Sequence, residues 1–471
     1  MNAPLSELPA VRLREVPTVF LDALMHRFGA QCSTAESVCA QHGRDESAFT
    51  HVPAPSAVVF AESTQDVCDA LALANSYRVP VIAFGVGSSL EGHLLAIEGG
   101  VSIDVSRMDR ILSINTEDLT VTVQPGVTRE AVNAAVRDQG LFFPIDPGAN
   151  ASIGGMSATR ASGTNAVRYG TMKENVLALE VVTADGSVVH TGSRARKSSA
   201  GYDLTRLMVG SEGTLGIFTE ITLRLYPLPE AVMAATCSFP SVLDAVQATQ
   251  TIIQMGVPIA RCELLDGVSV AAVNAYSKLS LPESAMLLME FHGSPNGVKE
   301  QIETVQEIAR DHHGEGFQWA ETPEARTKLW TARHHAFFAA LQSRPGCVAI
   351  TTDACVPISQ LAQAVTQAVT EVHAASLPYF LVGHVGDGNF HMGYLIDPAS
   401  TEERELAEQL NHQLVARAIE VGGTCTGEHG IGLHKRSFLE VEAGLPAVNM
   451  MKTIKHALDP HHILNPGKIF Q

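Results

Sequence analysis

The chain has 471 residues, 45% of them hydrophobic, and its 50 acidic side chains outnumber its 32 basic ones for a net charge of −18. A chain of this length and composition can bury a large core, which excludes a disordered protein and predicts roughly two or three domains. Because the negative charge would repel a phosphate backbone, we expect no nucleic-acid partner.

Cysteine spacing and hydrophobicity bear on the cellular compartment. The eight cysteines form no CxxC pair and are dilute in a long chain, which is typical of reduced thiols. Residues 1–14 lack the pattern of a secretory signal, and no stretch approaches the ~18 uninterrupted apolar residues of a membrane helix. We therefore expect a cytoplasmic protein, with peripheral membrane contact and a homodimer left open.

The first half of the chain predicts a mixture of short strands and helices, beginning with a mostly helical lead-in at residues 1–52. Thr64 is expected to cap a helix, because apolar side chains follow it at the spacing of one helix face. The elements predicted next are a strand at 81–84, a glycine loop at 85–92, a strand at 101–105, a hairpin of 111–114 with 120–123, a helix at 128–139 and a hairpin of 177–182 with 187–190. This order lacks the regular strand–helix alternation of a doubly wound sheet.

A second lobe is predicted after the sequence Tyr-Pro-Leu-Pro at 226–229. Strands and helices alternate there in an order that suits an antiparallel sheet with helices on one face. The predicted elements are strands at 232–239, 259–265 and 285–292 and helices at 242–255, 268–278 and 297–313.

Glycine loops are the first functional signal. Residues 85–92 read Gly-Val-Gly-Ser-Ser-Leu-Glu-Gly after an apolar strand, and missing side chains let backbone N–H groups approach a phosphate. The dinucleotide pattern GxGxxG fails at its third glycine, and another strand follows where a helix is required, so no NAD-type Rossmann fold is predicted. For this loop alone, a plain turn between strands is an equal alternative.

Two further glycine-rich segments favour a phosphate-binding site. Residues 146–165 contain four glycines with interleaved hydroxyl and amide side chains, and residues 209–218 contain three glycines around a carboxylate. Three such loops separated by strands can line one groove, each donating N–H groups to a different part of an extended ligand.

Residues 85–92, 146–171 and 210–218 together resemble the FAD-binding domain of the vanillyl-alcohol oxidase/p-cresol methylhydroxylase superfamily. The resemblance extends from about residue 53 to residue 468 and is strongest to the branch of FAD-dependent D-lactate and other D-2-hydroxyacid dehydrogenases. It implies an α+β fold with a two-lobed FAD-binding domain and a substrate, or cap, domain whose antiparallel sheet is covered by helices. The implied parts are the lead-in at 1–52, the FAD-binding domain at 53–227, the cap domain at 228–416 and a C-terminal segment at 417–471 that returns to the FAD-binding domain.

The same resemblance implies which residues bind FAD. The first loop would hold the pyrophosphate, the second would follow the ribityl chain and flavin, and the third would contact the cofactor through a Glu and an Ile. The residues so assigned are Gly85, Gly87, Ser88, Ser89, Gly155, Thr159, Gly163, Thr164, Glu212, Gly216 and Ile217. Relatives that tether flavin covalently through the first loop have a His where this chain has Ser88, so non-covalent FAD is expected.

A pair of histidines and a distant carboxylate form the second functional signal. His384 and His391 flank a Gly-Asp-Gly-Asn sequence, which favours a turn and so can fold the two imidazoles toward each other. Glu428 would complete a set of two His and one carboxylate with open positions, typical of a catalytic Zn²⁺ or Mn²⁺ site. From spacing alone, the alternative is that these histidines form no metal site, because His384 and Glu428 are far apart in the chain. The family resemblance implies that His384, His391 and Glu428 are metal ligands and that His429 is the base.

The chemistry of 2-hydroxy acid oxidation is consistent with these assignments. An aliphatic hydroxyl ionises too weakly near neutrality, and a coordinated ion lowers its pKa. His429 can then take the hydroxyl proton while the carbon-bound hydrogen passes to flavin N5. For the substrate carboxylate, the resemblance assigns Arg333 in a helical stretch at 328–335, the alternative being an Arg on a solvated helix face.

The predicted activity is therefore FAD- and metal-dependent oxidation of a D-2-hydroxy acid, D-lactate first, to the 2-oxo acid. Gly393 favours a small substrate, because relatives acting on diacids carry a polar residue there, and residues 351–357 also resemble the lactate branch. The electron acceptor is expected to be a cytochrome, a quinone or an electron-transfer flavoprotein. The alternatives are a glycolate oxidase D-type subunit, a D-2-hydroxyglutarate-type dehydrogenase and a flavin-free metallohydrolase built on His384, His391 and Glu428.

Overall fold

The computed structural model describes residues 13–47, 49, 52–320 and 322–470, which fold into two compact units. The first unit combines the described residues up to Ser162 with Gly170–Leu228 and the residues from Glu428 onward, and the second combines Gly163–Tyr169 with Pro229–Gly427. The four-part division stays a prediction; its boundary at 416 falls inside the helix Thr401–Glu420. Residues 1–12 of the predicted lead-in lie outside the described residues.

The first unit contains a four-stranded sheet in which three strands run parallel. The strand order is Cys32–Ser33, Ala57–Phe60, Val101–Asp104, Val81–Phe84, the first pair being antiparallel. The helix Thr64–Tyr77 makes the crossover that parallel strands need. Residues near the C-terminus extend the sheet edge, because Val81 donates its N–H to the Ile463 carbonyl at 2.7 Å and Asn465 donates its N–H to the Val81 carbonyl at 2.8 Å.

A five-stranded sheet in the same unit is antiparallel throughout. Its order is Ile111–Asn115, Thr120–Val123, Ile217–Arg224, Val176–Val182, Val188–His190. Both hairpins predicted from the sequence are confirmed in this sheet. A short pair, Leu141–Phe142 with Tyr226–Pro227, lies outside it.

Capping residues explain where helices of this unit begin. Ser63 caps the helix Thr64–Tyr77 through its side chain, so the expectation that Thr64 is the cap is wrong, and Thr64 is already helical. Thr128 caps Arg129–Val136, the helix predicted at 128–139. The helices of the first unit are Thr18–Phe28, Glu36–His42, Thr64–Tyr77, Arg129–Val136, Ile153–Thr159, Met172–Asn175, Leu204–Met208 and Arg436–Leu458.

The second unit is built on an eight-stranded antiparallel sheet. Seven strands lie in the order Glu315–Ala320, Ala231–Phe239, Ala285–Gly293, Ile259–Leu265, Tyr379–His384, Asn389–Ile396, Val348–Thr351, and Ala354–Cys355 pairs with Asn389–Ile396. Its helices are Ala166–Tyr169, Val242–Gln254, Gly267–Ser277, Pro295–Asp311, Pro323–Ser343, Ile358–Ala375 and Thr401–Glu420. The strands and helices predicted between residues 232 and 313 are confirmed, with small shifts at their ends.

Each unit has its own hydrophobic core. In the first, Phe20 and Leu71 from two helices pack with Ile103 of the parallel sheet. In the second, Leu288 of the sheet packs with Trp330 of the helix Pro323–Ser343. Fully burying side chains of this size contributes roughly 1.5–3 kcal/mol each. The α+β class predicted from the sequence is confirmed.

Within the described ranges, no helix is both long enough and apolar enough to cross a membrane.

Candidate active site

A cavity of about 470 Å³ lies in the first unit, where the glycine loops meet. Many of its lining residues are glycine, serine or alanine, so backbone groups come close to any occupant. Nine of the eleven residues predicted to bind the cofactor line it: Gly85, Gly87, Ser88, Ser89, Gly155, Thr159, Glu212, Gly216 and Ile217. Glu428 and His429 line the same cavity, which therefore contains both the loops and the predicted base.

Close packing requires glycine at some positions around this cavity. A Cβ on Gly216 would lie 2.4 Å from Cγ1 of Val181 and 3.0 Å from the carbonyl oxygen of Val182. A Cβ on Gly154 would lie 2.6 Å from Cβ of Pro125. Because side chains are missing here, the main chain forms much of the wall, which fits a ligand such as FAD that is held through its pyrophosphate by backbone N–H groups.

Gly163 and Thr164, the other two predicted cofactor residues, are placed differently. The chain leaves the first unit after Ser162, and Gly163–Tyr169 belongs to the second unit. These two residues therefore belong to a different unit from the other nine. Their contact with the cofactor stays a prediction.

Glu212 fixes the loop that follows His429. Its backbone is left-handed (φ 54°), and its carboxylate oxygens accept the N–H groups of Ile431 and Gly432 at 2.7 and 2.8 Å. Asn465 donates its side-chain amide to the Glu212 carbonyl at 2.7 Å. Beside its predicted contact with the cofactor, Glu212 thus has a structural role that the sequence did not reveal.

Glu91, in the first glycine loop, holds the predicted base. Its buried carboxylate lies 3.1 Å from Nδ1 of His429, 2.7 Å from Nδ1 of His434 and 2.9 Å from Nζ of Lys435. Burial raises the pKa of this carboxyl, but the charges of Lys435 and His434 outweigh burial and hold the pKa well below its usual value. An ionised Glu91 favours the His429 tautomer with hydrogen on Nδ1, which makes Nε2 the proton acceptor.

In the second unit, His384 and His391 lie on one face of the sheet. Val382 pairs with His391 and His384 pairs with Asn389, so the two histidines are diagonal neighbours on adjacent strands. Their ring centroids are 5.4 Å apart, which confirms that the turn between them folds the rings together. Nδ1 of His384 lies 2.7 Å from a Glu263 oxygen, and Nδ1 of His391 lies 2.9 Å from a backbone carbonyl. Rings held through Nδ1 are typical of histidines that ligate through Nε2.

Glu263 connects His384 to Arg333. It is fully buried, and its second carboxylate oxygen accepts a hydrogen bond from Nε of Arg333 at 2.8 Å. Burial raises the pKa of Glu263, but the neighbouring His384 and Arg333 outweigh this and lower the pKa below its usual value. The Arg333 side chain is only 14% exposed, so the alternative of a solvated Arg on the helix Pro323–Ser343 is wrong.

Asp353 is another buried carboxylate beside the histidine pair. Its Oδ1 lies 3.9 Å from Nδ1 of His391 and accepts the Asn389 side-chain amide at 3.0 Å. Its Oδ2 accepts the Thr426 hydroxyl at 2.7 Å, and its backbone carbonyl accepts the N–H of Gly427 at 2.9 Å. Asp353 therefore anchors the segment that ends directly before Glu428.

Glu91, Glu263 and Asp353 are site residues that the sequence did not predict. Each is a single acid in an apolar, glycine-rich or hydroxyl-rich stretch. A carboxylate buried in such a stretch requires cationic or hydrogen-bonding partners, and this was the signal that could have found them.

Gly393, which was interpreted as a marker of substrate size, also has a packing role in the sheet. It pairs with Phe380 across adjacent strands. A Cβ on Gly393 would lie 1.9 Å from the Phe380 ring, so the sheet itself demands glycine there. Gly393 alone is therefore no argument for a small substrate.

Two family models cover most of the chain: the FAD binding domain matches residues 55–192, and the FAD linked oxidases, C-terminal domain, matches residues 228–469. A Danio rerio protein named "Probable D-lactate dehydrogenase, mitochondrial" is 50% identical, covering 93% of this chain and 89% of the relative. The Arabidopsis thaliana D-lactate dehydrogenase (cytochrome), mitochondrial, is 47% identical, covering 91% and 76%. Glycolate oxidase subunits match at lower identity.

The fold is also that of a solved flavoprotein. The crystal structure of p-cresol methylhydroxylase with substrate bound matches with a TM-score of 0.77 at 17% identity, covering 98% of this chain and 98% of that chain. The predicted vanillyl-alcohol oxidase type of fold is confirmed by this match, and the predicted resemblance to D-lactate dehydrogenases is confirmed by the sequence relatives.

The expected cytoplasmic location is wrong, because these two D-lactate dehydrogenases are mitochondrial. The expectation depended on dilute cysteines and on the absence of a secretory pattern. Both features argue against an oxidising compartment, but neither distinguishes one reducing compartment from another.

Proposed function

Because the chain belongs to the FAD-linked oxidases, we propose that it oxidises D-lactate to pyruvate with FAD and a divalent metal ion. One observation carries the proposal: His429, held by an ionised Glu91, lines the same cavity as the glycine loops. A cavity that contains both a base and glycine loops able to bind FAD can remove a proton and a hydride from the same substrate: the base takes the proton and the bound flavin takes the hydride. The glycolate oxidase alternative is less well supported, since those relatives are less similar.

FAD is proposed to bind in the cavity of the first unit without a covalent link. Backbone N–H groups of the loop at 85–89 would hold its pyrophosphate, and Gly216 leaves its own part of the wall free of side-chain atoms. Ser88 cannot tether flavin as a histidine at this position does in some relatives. When bound, FAD supplies the hydride acceptor.

His429 is proposed to take the substrate hydroxyl proton on Nε2. Glu91 keeps the hydrogen of the imidazole on Nδ1 and fixes the ring. Glu212 fixes the loop immediately after it through two backbone hydrogen bonds. The chain thus provides a base of defined tautomer in a defined orientation, as general-base catalysis requires.

The metal ion, Zn²⁺ or Mn²⁺, is proposed to bind His384, His391 and Glu428. The two imidazoles share one sheet face and are held through Nδ1, which prepares them for ligation through Nε2. The carboxylates of Glu263 and Asp353 add negative charge beside the rings, which favours a divalent cation. An ion held there would lower the pKa of the substrate hydroxyl.

Arg333 is proposed to bind the substrate carboxylate. Its Nε donates to Glu263, and among the described residues its two terminal amino groups have no hydrogen-bond partner. The edge formed by these groups can receive a carboxylate in a bidentate pair. The acceptor of the electrons is proposed to be a cytochrome, as the name of the Arabidopsis relative states for that protein.

Anaerobic mixing of the purified protein with each lactate enantiomer tests the proposal. The protein should be yellow, D-lactate should bleach the flavin absorbance, and L-lactate should leave it unchanged. Equal bleaching by both enantiomers would refute the stereochemical assignment, and a colourless protein would favour the metallohydrolase. Turnover of the isolated chain with an artificial dye, then with a cytochrome, distinguishes an enzyme from a subunit that only relays electrons.

A further inference from the structure

Lys435 is a buried cation of the first unit to which the proposed reaction assigns no role. Its side chain is 5% exposed, and it lies in the segment that follows the proposed base, His429. A charged amine is rarely buried unless an opposite charge or hydrogen bonds compensate for the lost hydration. Glu91 supplies such a charge, because its Oε1 lies 2.9 Å from Nζ of Lys435.

Glu91 contacts Lys435 and the proposed base through the same oxygen. Oε1 lies 2.9 Å from Nζ of Lys435 and 3.1 Å from Nδ1 of His429. Oε2 lies 2.7 Å from Nδ1 of His434. The last torsion of a Glu side chain has broad minima, so a carboxylate turns easily unless both of its oxygens are held. Lys435 and His434 hold one oxygen each and thereby fix the carboxylate plane that meets the base.

Main-chain contacts bring Lys435 to this carboxylate independently of the salt bridge. The N–H of Leu433 donates to the Glu91 carbonyl at 2.8 Å, and the N–H of Lys435 donates to the Ile431 carbonyl at 3.1 Å. A Cβ on Gly432 would lie 2.2 Å from the Glu91 carbonyl oxygen, so the two segments are in close contact. The fold therefore places the amine and the carboxylate together before their charges interact.

The contact between Glu91 and the base tolerates little displacement. Nδ1 of His429 lies 3.1 Å from Oε1, near the long end of the range of about 2.7–3.2 Å for N–H···O hydrogen bonds. If the carboxylate moved away by a few tenths of an ångström, this hydrogen bond would be lost. A proton acceptor must stay within hydrogen-bond reach of its substrate, so an imidazole that is no longer held slows proton removal.

We propose that Lys435 is a positioning residue for the base: by binding Oε1 of Glu91, it fixes the carboxylate in the orientation that holds the imidazole of His429. This inference rests on the proposed function, in which His429 takes the substrate proton. Lys435 itself contacts neither substrate nor cofactor. Its effect on the reaction passes through Glu91, which distinguishes it from a residue that only stabilises the fold.

Four variants of the full-length protein test this inference. Lys435→Met removes the charge, Lys435→Arg keeps a cation, Glu91→Gln removes the carboxylate charge, and Glu91→Gln/Lys435→Met removes both charges. Arg436→Met is the matched control, because Arg436 is a partly buried cation at the neighbouring position whose guanidinium bonds backbone carbonyls near the C-terminus rather than Glu91.

Two measurements are made on each variant. The first is steady-state oxidation of D-lactate with an artificial dye, with kcat expressed per bound flavin. The second is the downfield proton NMR signal of the hydrogen on Nδ1 of His429, recorded without substrate and assigned by its loss in His429→Ala. The NMR signal reports whether the imidazole is held, and it does not depend on turnover.

Lys435→Met should lower kcat by up to about tenfold with KM unchanged, because the change acts on the proton acceptor and not on substrate binding. Lys435→Arg should restore part of kcat, and Arg436→Met should keep the wild-type kcat. The double variant should match Glu91→Gln alone, since no carboxylate is left for Lys435 to orient. The NMR signal should weaken or shift in Lys435→Met and persist in Arg436→Met.

If Lys435→Met fails to fold, the double variant decides, because it leaves neither charge of the pair buried without its partner. A kcat of the double variant well below that of Glu91→Gln overturns this inference, as does an NMR signal that Lys435→Met leaves unchanged. Either result leaves the proposed function standing. If D-lactate fails to reduce the wild-type flavin while the NMR signal changes as expected, the proposed function is overturned and the positioning of His429 by Lys435 stands.

Discussion

The cavity of the first unit and the sheet face of the second unit that carries His384 and His391, here called the histidine face, are formed by different kinds of residue. Glycine and serine loops bring the main chain to the cavity wall, as at Gly216. On the histidine face, ionisable side chains hold one another in pairs, as Glu263 holds His384 and Arg333. A cavity wall formed by glycines is destabilised when a substitution adds side-chain volume. A network of buried charged side chains is destabilised when one partner of a pair is removed. Five substitutions can distinguish the effect of added side-chain volume from the effect of losing a charged partner.

His429→Ala should have the largest effect, because it removes the proposed base without enlarging any wall residue. We expect anaerobic flavin reduction by D-lactate to slow by roughly 10²- to 10⁴-fold while FAD stays bound, measured by stopped-flow absorbance. His456→Ala, a change of an exposed histidine in the same unit, should reduce at the wild-type rate. Fast reduction in His429→Ala would remove this residue from the mechanism.

His384→Ala should break the charge network of the second unit. We expect affinity for Zn²⁺ or Mn²⁺ to fall by about 100-fold or more, because a ligand is lost and Glu263 is left without one of its partners. Metal content after dialysis measures this effect. His373→Ala, an exposed histidine bonded to the Tyr379 hydroxyl, should keep the ion. Stoichiometric metal in His384→Ala would contradict the proposed ligand set.

Arg333→Ala should chiefly weaken substrate binding. A charge-assisted hydrogen bond contributes about 1.5–3 kcal/mol, so KM for D-lactate should rise roughly 10- to 100-fold. Arg344, whose guanidinium pairs with Glu403 at 2.8 Å, provides the control Arg344→Ala, in which KM should be unchanged. Unchanged steady-state kinetics in Arg333→Ala would leave the arginine a purely structural partner of Glu263.

Glu91→Gln tests the pair of charged side chains that holds His429 in the cavity of the first unit. The amide no longer enforces hydrogen on Nδ1 of His429, and kcat should fall about tenfold with KM and FAD content retained. Glu98→Gln, whose native carboxylate pairs with Arg14 at 2.7 Å, is the control and should keep the wild-type kcat. A fall in FAD content without a fall in the kcat of the loaded enzyme would assign Glu91 to folding alone.

Gly216→Ala should have the smallest effect on chemistry and a measurable effect on stability. The added methyl group would meet Val181 at 2.4 Å, and overpacking of this kind costs about 1–3 kcal/mol. Thermal unfolding and FAD content should both decrease. Gly148 also lines the cavity, but a Cβ there would meet nothing within 4 Å, so Gly148→Ala should behave as wild type. Equal behaviour of the two variants would contradict the steric account of the wall.

Local patterns predicted the cavity better than the histidine face. Glycine loops and hairpins are contiguous in the sequence, and the turn that brings His384 to His391 spans a few residues. The partners of these histidines are not local: Glu263 is 121 residues from His384, and Glu91 is 338 residues from His429. The contact of Glu263 with His384 depends on the pairing of strands in the sheet, and the contact of Glu91 with His429 depends on a distant segment folding back onto the first unit. No local sequence pattern predicts either contact. The Thr64 error has another origin, since adjacent Ser and Thr are both good caps.

The junction of Val81 with residues 463–465 has a consequence for biosynthesis. Chains leave the ribosome from the N-terminus, so the strand Val81–Phe84 is made long before the residues that bond to its first member. Asn465, which ties two cavity residues together, is also made long after this strand. The edge of the parallel sheet is therefore completed only after residues 463–465 have been made. Any truncated translation product that ends before residue 463 lacks the two hydrogen bonds to Val81 and leaves this edge of the sheet unpaired at Val81.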